Sequence, residues 1–373
     1  MKEIKTVGII GFGVMGAAIG LNAAASGFKV VFKEFNENLV QSMYDKWVIQ
    51  ALEKRVKKNK ITKSDMNQIT QKITGTCYYE ELKECDLVIE AAVENLDLKI
   101  KIFEDVAKVC PVETILVSNT STFLIEKVME KVPNQSRTAG LHYFFPANVN
   151  RLVEVIRQKK TSEDTFNSVK DFAIKNKKTV ISVKDFPGFA INPVFISSYM
   201  VLNSFYGDFN VATLDSISKD ALGLKYGIMW VQNGSGIGTA FHAAKSMHEY
   251  LHDSDVGFPK VPEQLETCFK SGAPWDLKDG PVIKDTTIRQ VVSDRLLGTI
   301  FTIATQLVEK TVVSVNDLEK GIKTSLAWPE GPFTLMNKIG MEQTRKLIIQ
   351  VCYTGLFKMP EKFLSDIPEP WVT

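Results

Sequence analysis

One histidine and one glutamate, His142 and Glu154, stand out because each lies inside a short apolar run. The runs TAGLHYFF (138–145) and LVEVI (152–156) predict two strands, and Pro146 marks the turn between them. An imidazole titrates near neutral pH and can accept a hydroxyl proton, while a carboxylate can orient the ring and stabilise its charged form. A glutamate in a buried strand also needs a partner. A lone histidine here would usually be part of the core, but the pair predicts a general base and its support.

The start of the chain carries a second chemical signal, a glycine-rich turn. Gly11, Gly13 and Gly16 follow the apolar run 7–10 at G-x-G-x-x-G spacing and precede an alanine-rich helical segment. Glycines at these positions permit a tight turn, a close approach of a pyrophosphate and close packing of the helix on the sheet. The N–H groups at the helix start attract phosphates. This context favours a dinucleotide site over a glycine turn without a ligand.

The residue that would choose between the two nicotinamide dinucleotides is Glu34. It ends the next apolar run, 18 residues after Gly16 (34 − 16), near the ~20 expected for an acid that binds a ribose hydroxyl. Because a carboxylate repels a 2′-phosphate, the sequence predicts NAD rather than NADP as the cofactor.

Strands and helices alternate through the first half of the chain. The predicted strands span 7–10, 29–33, 87–92, 115–117, 138–145, 152–156 and 180–183, with helices after the glycine turn, over 38–72 and over 97–109. The alternation predicts an α/β fold, a Rossmann-type doubly wound sheet with mostly parallel strands. The polar run SNTST (118–122) directly follows a strand and so predicts the carboxyl edge of the sheet, where ligands bind. A loop with a helix cap is the alternative for this run.

The pattern changes at DFPGF (185–189), after which the sequence predicts helices only. Two helical stretches also resemble each other at a spacing of 102 residues, Asn192 with Asp294 (294 − 192) and Val211 with Val313 (313 − 211). We therefore predict an all-α second half made of two related modules. The predicted domains are 1–186 for dinucleotide binding, 187–290 for the first helical module and 291–373 for the second.

Composition limits the possible partners and location. The 373 residues have a formal net charge of +2 and no domain-wide basic excess, which argues against nucleic-acid binding. Five cysteines without C-x-x-C spacing indicate reduced thiols and a cytoplasmic protein. The chain enters its first strand without a signal peptide, and no apolar run of 18 or more residues is found, so no membrane association is expected.

The helical segment after Glu34 is rich in lysine, including Lys54, Lys57 and Lys58. Such a segment can bind a phosphorylated substrate. It can equally be a solvated helix face, as charge runs usually are. The residues alone leave both interpretations open.

Several segments together resemble the L-3-hydroxyacyl-CoA dehydrogenases. GLHYFFPANVNRLVEVI (140–156) resembles the family's GxHFFNPxxxMxLVEV, with the same separation of His and Glu, and IEAAVENLDLK (89–99) resembles VEAxxENxxxK. SNTST (118–122) resembles SNTSS, and DFPGFAIN (185–192) resembles PGFxxNR. DRLLG and WPEGPFTLMNKIG resemble the C-terminal helical module, which is doubled here as in the fused members of fatty-acid oxidation.

The resemblance implies a role for each matching residue. His142 would be the catalytic base, Glu154 its partner, Ser121 a donor to the substrate oxygen and Asn192 a positioning residue. The residues implied near the cofactor are Gly11, Gly13, Val14, Met15, Gly16, Glu34, Ala91, Glu94, Lys99 and Asn119. Lys54, Lys57 and Lys58 would lie on the helical arm that binds coenzyme A. No metal ligands are implied.

The sequence departs from the family pattern at several positions. Phe145 stands where the family has asparagine, and Pro193 follows Asn192 where the family has arginine. The first helical copy reads IMWVQNGSG and lacks the PxGPF that the second copy keeps at 329–333. The changes at Phe145 and in the first copy put the acyl pocket, or the activity itself, in question.

We therefore predict an NAD-dependent L-3-hydroxyacyl-CoA dehydrogenase of fatty-acid or short-chain acyl-CoA metabolism, monomeric or homodimeric. Two alternatives are a catalytically impaired NAD(H)-binding sensor or scaffold, and a dehydrogenase of a hydroxy acid that carries no CoA. A third pattern, H-E-x-x-H at His248 to His252, is typical of zinc proteases. It is better interpreted as a helix surface, because a catalytic zinc needs a third protein ligand and no histidine follows.

Overall fold

The computed structural model describes residues 3–252, 254, 256–364 and 367–373. The chain divides into two compact units, Met1–Asp185 and Phe186–Thr373. The predicted boundary at residue 290 falls inside a helix that begins at Thr286, so the helical modules are not separated there.

The first unit is built on an eight-stranded sheet. Its strands are β1 Thr6–Ile10, β2 Lys29–Lys33, β3 Ile73–Thr76, β4 Leu87–Glu90, β5 Ile115–Ser118, β6 Thr138–Tyr143, β7 Leu152–Arg157 and β8 Thr179–Lys184. Their spatial order is β3-β2-β1-β4-β5-β6-β7-β8. All neighbouring strands are parallel except β6 and β7. The structure confirms the predicted mostly parallel α/β sheet. It adds β3, which the sequence analysis does not predict.

The single antiparallel pair follows from the length of its connection. Only residues 144–151 join β6 to β7, and a parallel neighbour would need a crossover of a dozen residues or more. The hairpin therefore reverses the strand direction, and β7 and β8 run opposite to the other six strands.

The helices of this unit are α1 Val14–Ala25, α2 Glu37–Met43, α3 Gln50–Lys57, α4 Lys63–Thr70, α5 Leu96–Val109, α6 Ile125–Val128 and α7 Glu163–Lys175. Alternate strand residues such as Val7, Ile9 and Ile89 form one core with α1 and α7. The side chain of Asn22 on α1 also donates to the carbonyl oxygen of Asn176 at the end of α7, at 3.0 Å. Period-two burial of this kind is what holds a sheet between helical layers.

The lysine-rich segment is not the continuous helix that the sequence predicts over 38–72. A π-helical stretch, Tyr44–Ile49, separates α2 from α3, and α3 ends at Lys57. Asn59 has a φ of +53°, which no helix continues through, and Thr62 begins α4 with a reciprocal capping box to Asp65. Local backbone geometry and side-chain capping therefore divide this segment into separate helices, although its composition favours one continuous helix.

The second unit is helical, as predicted. Its helices are α8 Ile191–Ser204, α9 Val211–Leu222, α10 Ile228–Ser235, α11 Ile237–Leu251, α12 Glu263–Ser271, α13 Thr286–Glu309, α14 Val315–Leu326, α15 Pro332–Ile339 and α16 Met341–Cys352. The long helix α13 packs against α8, α9 and α16. By length and composition α13 could also cross a membrane, but two thirds of its most apolar stretch is buried inside the unit.

The helices of the second unit repeat, and the structure corrects the spacing of the repeat from 102 to 104 residues. Gly236 between α10 and α11 and Gly340 between α15 and α16 share positive φ values of +93° and +88° (340 − 236 = 104). In each module a carboxylate accepts a backbone N–H at the same offset: Asp215 from Trp230 at 2.9 Å and Glu319 from Thr334 at 3.1 Å. These contacts define the register better than residue similarity does.

The first helical copy keeps this carboxylate contact although it lacks the PxGPF sequence. A Cβ on Gly227 would lie 2.1 Å from the Asp215 carboxylate, and a Cβ on Gly331 would lie 2.5 Å from that of Glu319. Both copies therefore need glycine at this turn, and the altered residues around Gly227 leave the helical packing intact.

Candidate active site

The carboxyl ends of five strands meet at one edge of the sheet. β1, β2, β4, β5 and β6 are mutually parallel, so the segments that follow them converge there. These segments hold the glycine turn, Glu34, the 91–94 loop, the 119–124 loop and the start of the β6–β7 loop. The predicted site residues of the first unit lie on these segments or on the strands beside them, apart from Lys99, which lies on α5, and the lysines of the arm.

The glycine turn has the shape that a pyrophosphate site requires. Gly11 has a φ of +84°, and a Cβ there would lie 2.9 Å from Ala91 and Ala92 backbone atoms. A Cβ on Gly16 would lie 1.9 Å from the carbonyl oxygen of Gly11. At Gly13, by contrast, a Cβ would meet no described atom within 4 Å, so the space before α1 is open.

The start of α1 is also electrostatically suited to an anion. Gly13 is the N-cap and offers no side chain to the N–H groups of the first turn, and that turn contains no acidic residue. These N–H groups and the positive end of the helix dipole therefore face the open space. Val14 is half exposed there, while Met15 packs against the core.

Glu34 is bonded to the glycine turn itself. Its Oε1 accepts the N–H of Phe12 at 2.5 Å, and its own N–H donates to Thr76 at the end of β3. Oε2 has no hydrogen-bond partner among the described residues. One carboxylate oxygen thus fixes the turn, and the other is available to a ribose hydroxyl.

A buried ion cluster lies behind the next loop. The Lys99 ammonium is 1% exposed and donates to Glu90 Oε1 at 2.6 Å, with Glu94 Oε2 at 3.2 Å. Glu90 also accepts the Ser118 hydroxyl at 2.6 Å and the Ala92 N–H at 2.7 Å. Lys99 is therefore placed inside the protein as a support for the loops, and not where it could touch a cofactor directly.

Glu94 connects this cluster to the loop that carries Ser121. Its Oε1 accepts the Thr120 hydroxyl at 2.6 Å, the Ser121 N–H at 2.9 Å and the Thr122 hydroxyl at 3.2 Å. Burial opposes ionisation of this carboxyl, but the charge of Lys99 and these hydrogen bonds outweigh it and lower the pKa of Glu94. Glu94 is thus an anion that organises the Ser121 loop.

The predicted pair is formed in the structure. His142 and Glu154 are direct partners in the antiparallel β6–β7 register, and His142 Nδ1 lies 2.7 Å from Glu154 Oε2. Both residues are buried, at 3% and 0% exposure. Residues opposite each other in such a pair share one face of the sheet, so the hairpin itself brings the two groups together.

Two neighbours fix the surroundings of His142. The Phe144 ring lies 4.6 Å from the imidazole, centre to centre. Asn119, which the sequence places at the cofactor, accepts the N–H of Tyr143 at 2.9 Å and so links the ends of β5 and β6. Its side chain therefore ties the loop after β5 to the strand that carries the proposed base.

The remaining predicted residues are not on the segments that meet at this edge. Lys54, Lys57 and Lys58 are exposed on α3 and at its C-cap, on the helical arm. Asn192 is the second residue of α8, in the second unit.

Some residues that support these loops are absent from the sequence-based site. Glu90 is the clearest, because a carboxylate inside the apolar strand LVIE gives the same signal that identifies Glu154. Asp185 is another: its carboxylate accepts the N–H groups of Ile125 and Glu126 at 2.9 and 2.8 Å, at the start of α6. Lys178 bonds the loop between β6 and β7. No local pattern marks Asp185 or Lys178, since their partners are distant in sequence.

The H-E-x-x-H segment lies in α11 and at its end. His248 Nδ1 is 3.0 Å from the carbonyl oxygen of Phe258, and His252 Nδ1 is 2.9 Å from that of His248. Within the part of the chain that the structure describes, no three His, Cys, Asp or Glu side chains are grouped as a metal site. Asp253 and Asp255 lie outside that part.

Comparison with known proteins identifies the family to which the chain is similar. Residues 6–186 match the 3-hydroxyacyl-CoA dehydrogenase NAD binding domain, and residues 291–364 match the 3-hydroxyacyl-CoA dehydrogenase C-terminal domain. A probable 3-hydroxyacyl-CoA dehydrogenase of Caenorhabditis elegans is 34% identical over 246 residues, which are 64% of this chain and 82% of that protein.

Two further relatives show how far the similarity extends. A glyoxysomal fatty acid beta-oxidation multifunctional protein of Brassica napus is 38% identical over 194 residues, 52% of this chain and 27% of the relative. The chain spans about a quarter to a third of the multifunctional proteins that it matches. The structure of an Escherichia coli 3-hydroxybutyryl-CoA dehydrogenase has a TM-score of 0.83 over 95% of both chains at 20% identity, a likeness of fold alone.

Proposed function

This chain belongs to the 3-hydroxyacyl-CoA dehydrogenase family, and on that premise we propose that it oxidises L-3-hydroxyacyl-CoA to 3-oxoacyl-CoA with NAD, reversibly. The observation that carries the proposal is the buried 2.7 Å contact of His142 with Glu154, at the edge of the sheet that holds the glycine turn. An alcohol oxidation needs a base and a dinucleotide site at one place, and the first unit has candidates for both.

His142 acts as the base through Nε2. An ionised Glu154 can only accept a hydrogen bond, so Nδ1 keeps its proton and Nε2 presents its lone pair. In the oxidation Nε2 would accept the proton of the substrate hydroxyl while C3 loses its hydride, which leaves a C3 carbonyl. Glu154 then stabilises the imidazolium. In the reduction the same Nε2 returns the proton.

NAD, the cofactor of the family's N-terminal domain, accepts the hydride when it is bound. The open space at Gly13 and the uncapped N–H groups of α1 fit its pyrophosphate, and Glu34 Oε2 fits a ribose hydroxyl. Glu94 holds the loop of Ser121, whose hydroxyl would donate to the substrate oxygen.

The proposed substrate is an acyl-CoA because of the helical arm. Lys54, Lys57 and Lys58 are exposed cations on one end of this arm and could bind the phosphates of coenzyme A. The resemblance to the family also implies a substrate-positioning role for Asn192, the second residue of α8.

The first experiment is NADH oxidation with acetoacetyl-CoA and with a long-chain 3-oxoacyl-CoA. His142→Ala removes the proton carrier, so we expect kcat to fall by about 10² to 10⁴, with the Kd for NADH unchanged. Fluorescence titration of NADH gives that Kd. Loss of NADH binding would contradict the role of His142 as an acid–base group.

The exposed Phe145 favours one alternative, an NAD(H)-binding sensor without turnover. Tight NADH binding by the wild type, with no turnover of either CoA ester, would support the sensor. Turnover of a free 3-hydroxy acid instead would support a dehydrogenase without CoA. The two outcomes are separated by offering both substrate classes in one assay series.

The assembly and location of the protein are also proposed. We infer a monomer or homodimer without nucleic-acid or membrane partners, which sedimentation analysis tests. We infer a cytoplasmic location because none of the five cysteines, each among the described residues, forms a disulfide. Cell fractionation tests the location.

A further inference from the structure

The loop 144–151 joins the two strands that carry His142 and Glu154, so its shape affects how the two side chains meet. The carbonyl oxygen of Pro146 accepts the N–H groups of Val149 and Asn150, both at 2.8 Å, which makes the loop one compact turn. Phe144 begins this loop and its ring contacts the His142 imidazole. A shift of the loop would therefore move a ring that touches the proposed base.

One side chain, Lys178, donates hydrogen bonds to two carbonyl groups of this loop. Its Nζ donates to the carbonyl oxygen of Ala147 at 2.5 Å and to that of Asn150 at 2.8 Å. The same ammonium lies 5.7 Å from the ring centre of Tyr143, within the range of a cation–π contact. Lys178 thus contacts the end of β6, the middle of the loop and the end of the loop.

The backbone holds Lys178 in this place. Lys178 directly precedes β8, and the N–H of the next residue, Thr179, donates to the carbonyl oxygen of Arg151 at 2.8 Å. Because Arg151 is the last residue before β7, this bond joins the start of β8 to the end of the loop. The ammonium therefore has a short and defined path to the loop carbonyls.

The surroundings are unfavourable for a cation that has no partners. Burial, and to a smaller extent the charge of Arg151, lower the pKa of Lys178 to about 8. A lysine can usually extend its long stem and keep its ammonium in water. Here the ammonium stays half-buried, and the two loop carbonyls replace part of its hydration.

We propose that Lys178 is a positioning residue: by bonding the loop 144–151 along its length, it fixes Phe144 against His142 and keeps His142 opposite Glu154. Its kinetic consequence rests on the proposed function, whereas its effect on the His142–Glu154 contact does not. Lys178 lies outside the sequence motifs that resemble the family. Among the contacts described above, its side chain touches neither His142 nor Glu154.

The kinetic test compares three variants. Lys178→Met keeps the stem and removes the ammonium, Lys178→Arg keeps the charge, and Lys177→Met is the control because Lys177 is adjacent and exposed. Small displacements of a catalytic group can lower the rate by roughly 10²-fold, so we expect Lys178→Met to lower kcat at least about ten-fold. The KM for NADH should stay within about two-fold, Lys178→Arg should recover part of the rate, and Lys177→Met should equal the wild type.

A second measurement is independent of turnover. With ¹⁵N-labelled histidine, NMR follows the Nδ1–H signal of His142 among the four histidines. Lys178→Met should shift or broaden this signal, whereas Lys177→Met should not. A folded Lys178→Met protein with unchanged kcat and an unchanged Nδ1–H signal would overturn the proposal.

The design also covers two other outcomes. If Lys178→Met does not fold, Lys178→Gln and Lys178→Arg are compared per folded molecule, and the proposal requires that Arg retains the higher kcat and the more native Nδ1–H signal. Equal values would overturn it. If the wild type turns over no 3-oxoacyl-CoA, the proposed function fails, and the Nδ1–H signal still decides whether Lys178 positions His142.

Discussion

At the scale of single residues, the β6–β7 loop exposes apolar side chains beside the proposed base. Phe145 is 57% exposed and Val149 is 70% exposed, on the loop whose Phe144 contacts His142. Apolar surface of this kind, held on a compact turn, can cover apolar carbons of a ligand without an ordering cost. On the proposed function, the two side chains are candidates to contact the acyl chain of the substrate.

We expect Phe145→Asn to reduce the preference for longer acyl chains. Removing about half of the apolar contact between one aromatic ring and the acyl chain should weaken binding by roughly 1.4 kcal/mol, which is a ten-fold change in the binding constant. The ratio of kcat/KM for an eight-carbon over a four-carbon 3-oxoacyl-CoA should therefore fall about ten-fold. Val112→Asn is the matched control, because Val112 is also exposed but precedes β5 at the opposite edge of the sheet. An unchanged ratio in Phe145→Asn would exclude this ring from chain recognition.

At the scale of elements, short segments that follow β5 are held by carboxylates distant in sequence rather than by their own helical propensity. α6 has four residues, too few for a stable helix alone. Asp185 bonds two N–H groups at its start, across 60 residues of sequence. Glu94 does the same for the Ser121 loop that precedes α6. The proposed substrate donor thus depends on two distant acids.

The Asp185 carboxyl should leave a pH signature in stability. Burial raises the pKa of Asp185 from 3.8 to about 6, although the hydrogen bonds from Glu126 and Ile125 oppose the shift. Between these values the native state binds more protons than the unfolded state, so stability falls as pH rises and levels off above about 6. Relative to Asp185→Asn, the wild type should lose up to about 3 kcal/mol of unfolding free energy between pH 4 and pH 7.

Urea unfolding of both proteins across that range measures the difference, and the other titrating groups cancel because the two proteins share them. A difference that stays constant with pH would show that Asp185 ionises with an ordinary pKa. A difference of the opposite sign would show that the N–H bonds outweigh burial.

At the scale of the whole molecule, the chain combines an α/β unit and a helical unit whose repeat is held by equivalent contacts. Asn233 and Trp275 exchange two hydrogen bonds of 2.9 Å, and Asn337 and Trp371 exchange two of 2.8 Å. The asparagines are again 104 residues apart (337 − 233). The dinucleotide features, in contrast, all lie in the first unit.

We therefore expect NADH to protect the first unit selectively from hydrogen exchange. At saturation, amides of the glycine turn and of the 91–94 and 119–124 loops should slow down, because the ligand stabilises the unit that binds it. Peptides from α13 to α16 should exchange as in the free protein. Equal protection of those helices would contradict a cofactor site built from the first unit. NADP at the same concentration is the control and should protect less, given Glu34.

The sequence by itself determined the parts of this protein that depend on short-range patterns. Apolar periodicity predicts seven of the eight strands, and it misses β3 because ITGT is short and half polar. G-x-G-x-x-G with Glu34 predicts the dinucleotide turn, since each residue acts on its immediate surroundings. His142 and Glu154 are predicted together because a short hairpin must place residues opposite each other.

Only the tertiary structure decided which distant groups support that site. Glu90 and Lys99 form an ion pair inside the protein, and Glu94 accepts the hydroxyl of Thr120, 26 residues later in the chain. Lys178, directly before β8, bonds the loop 144–151. No periodicity encodes such pairs, because they arise where parallel strands bring their loops to one edge. Residue similarity likewise predicts a helical repeat of 102 residues, whereas the structure shows 104. The turn glycines and the carboxylates that accept backbone N–H groups define the equivalent positions, and residue similarity does not reveal them.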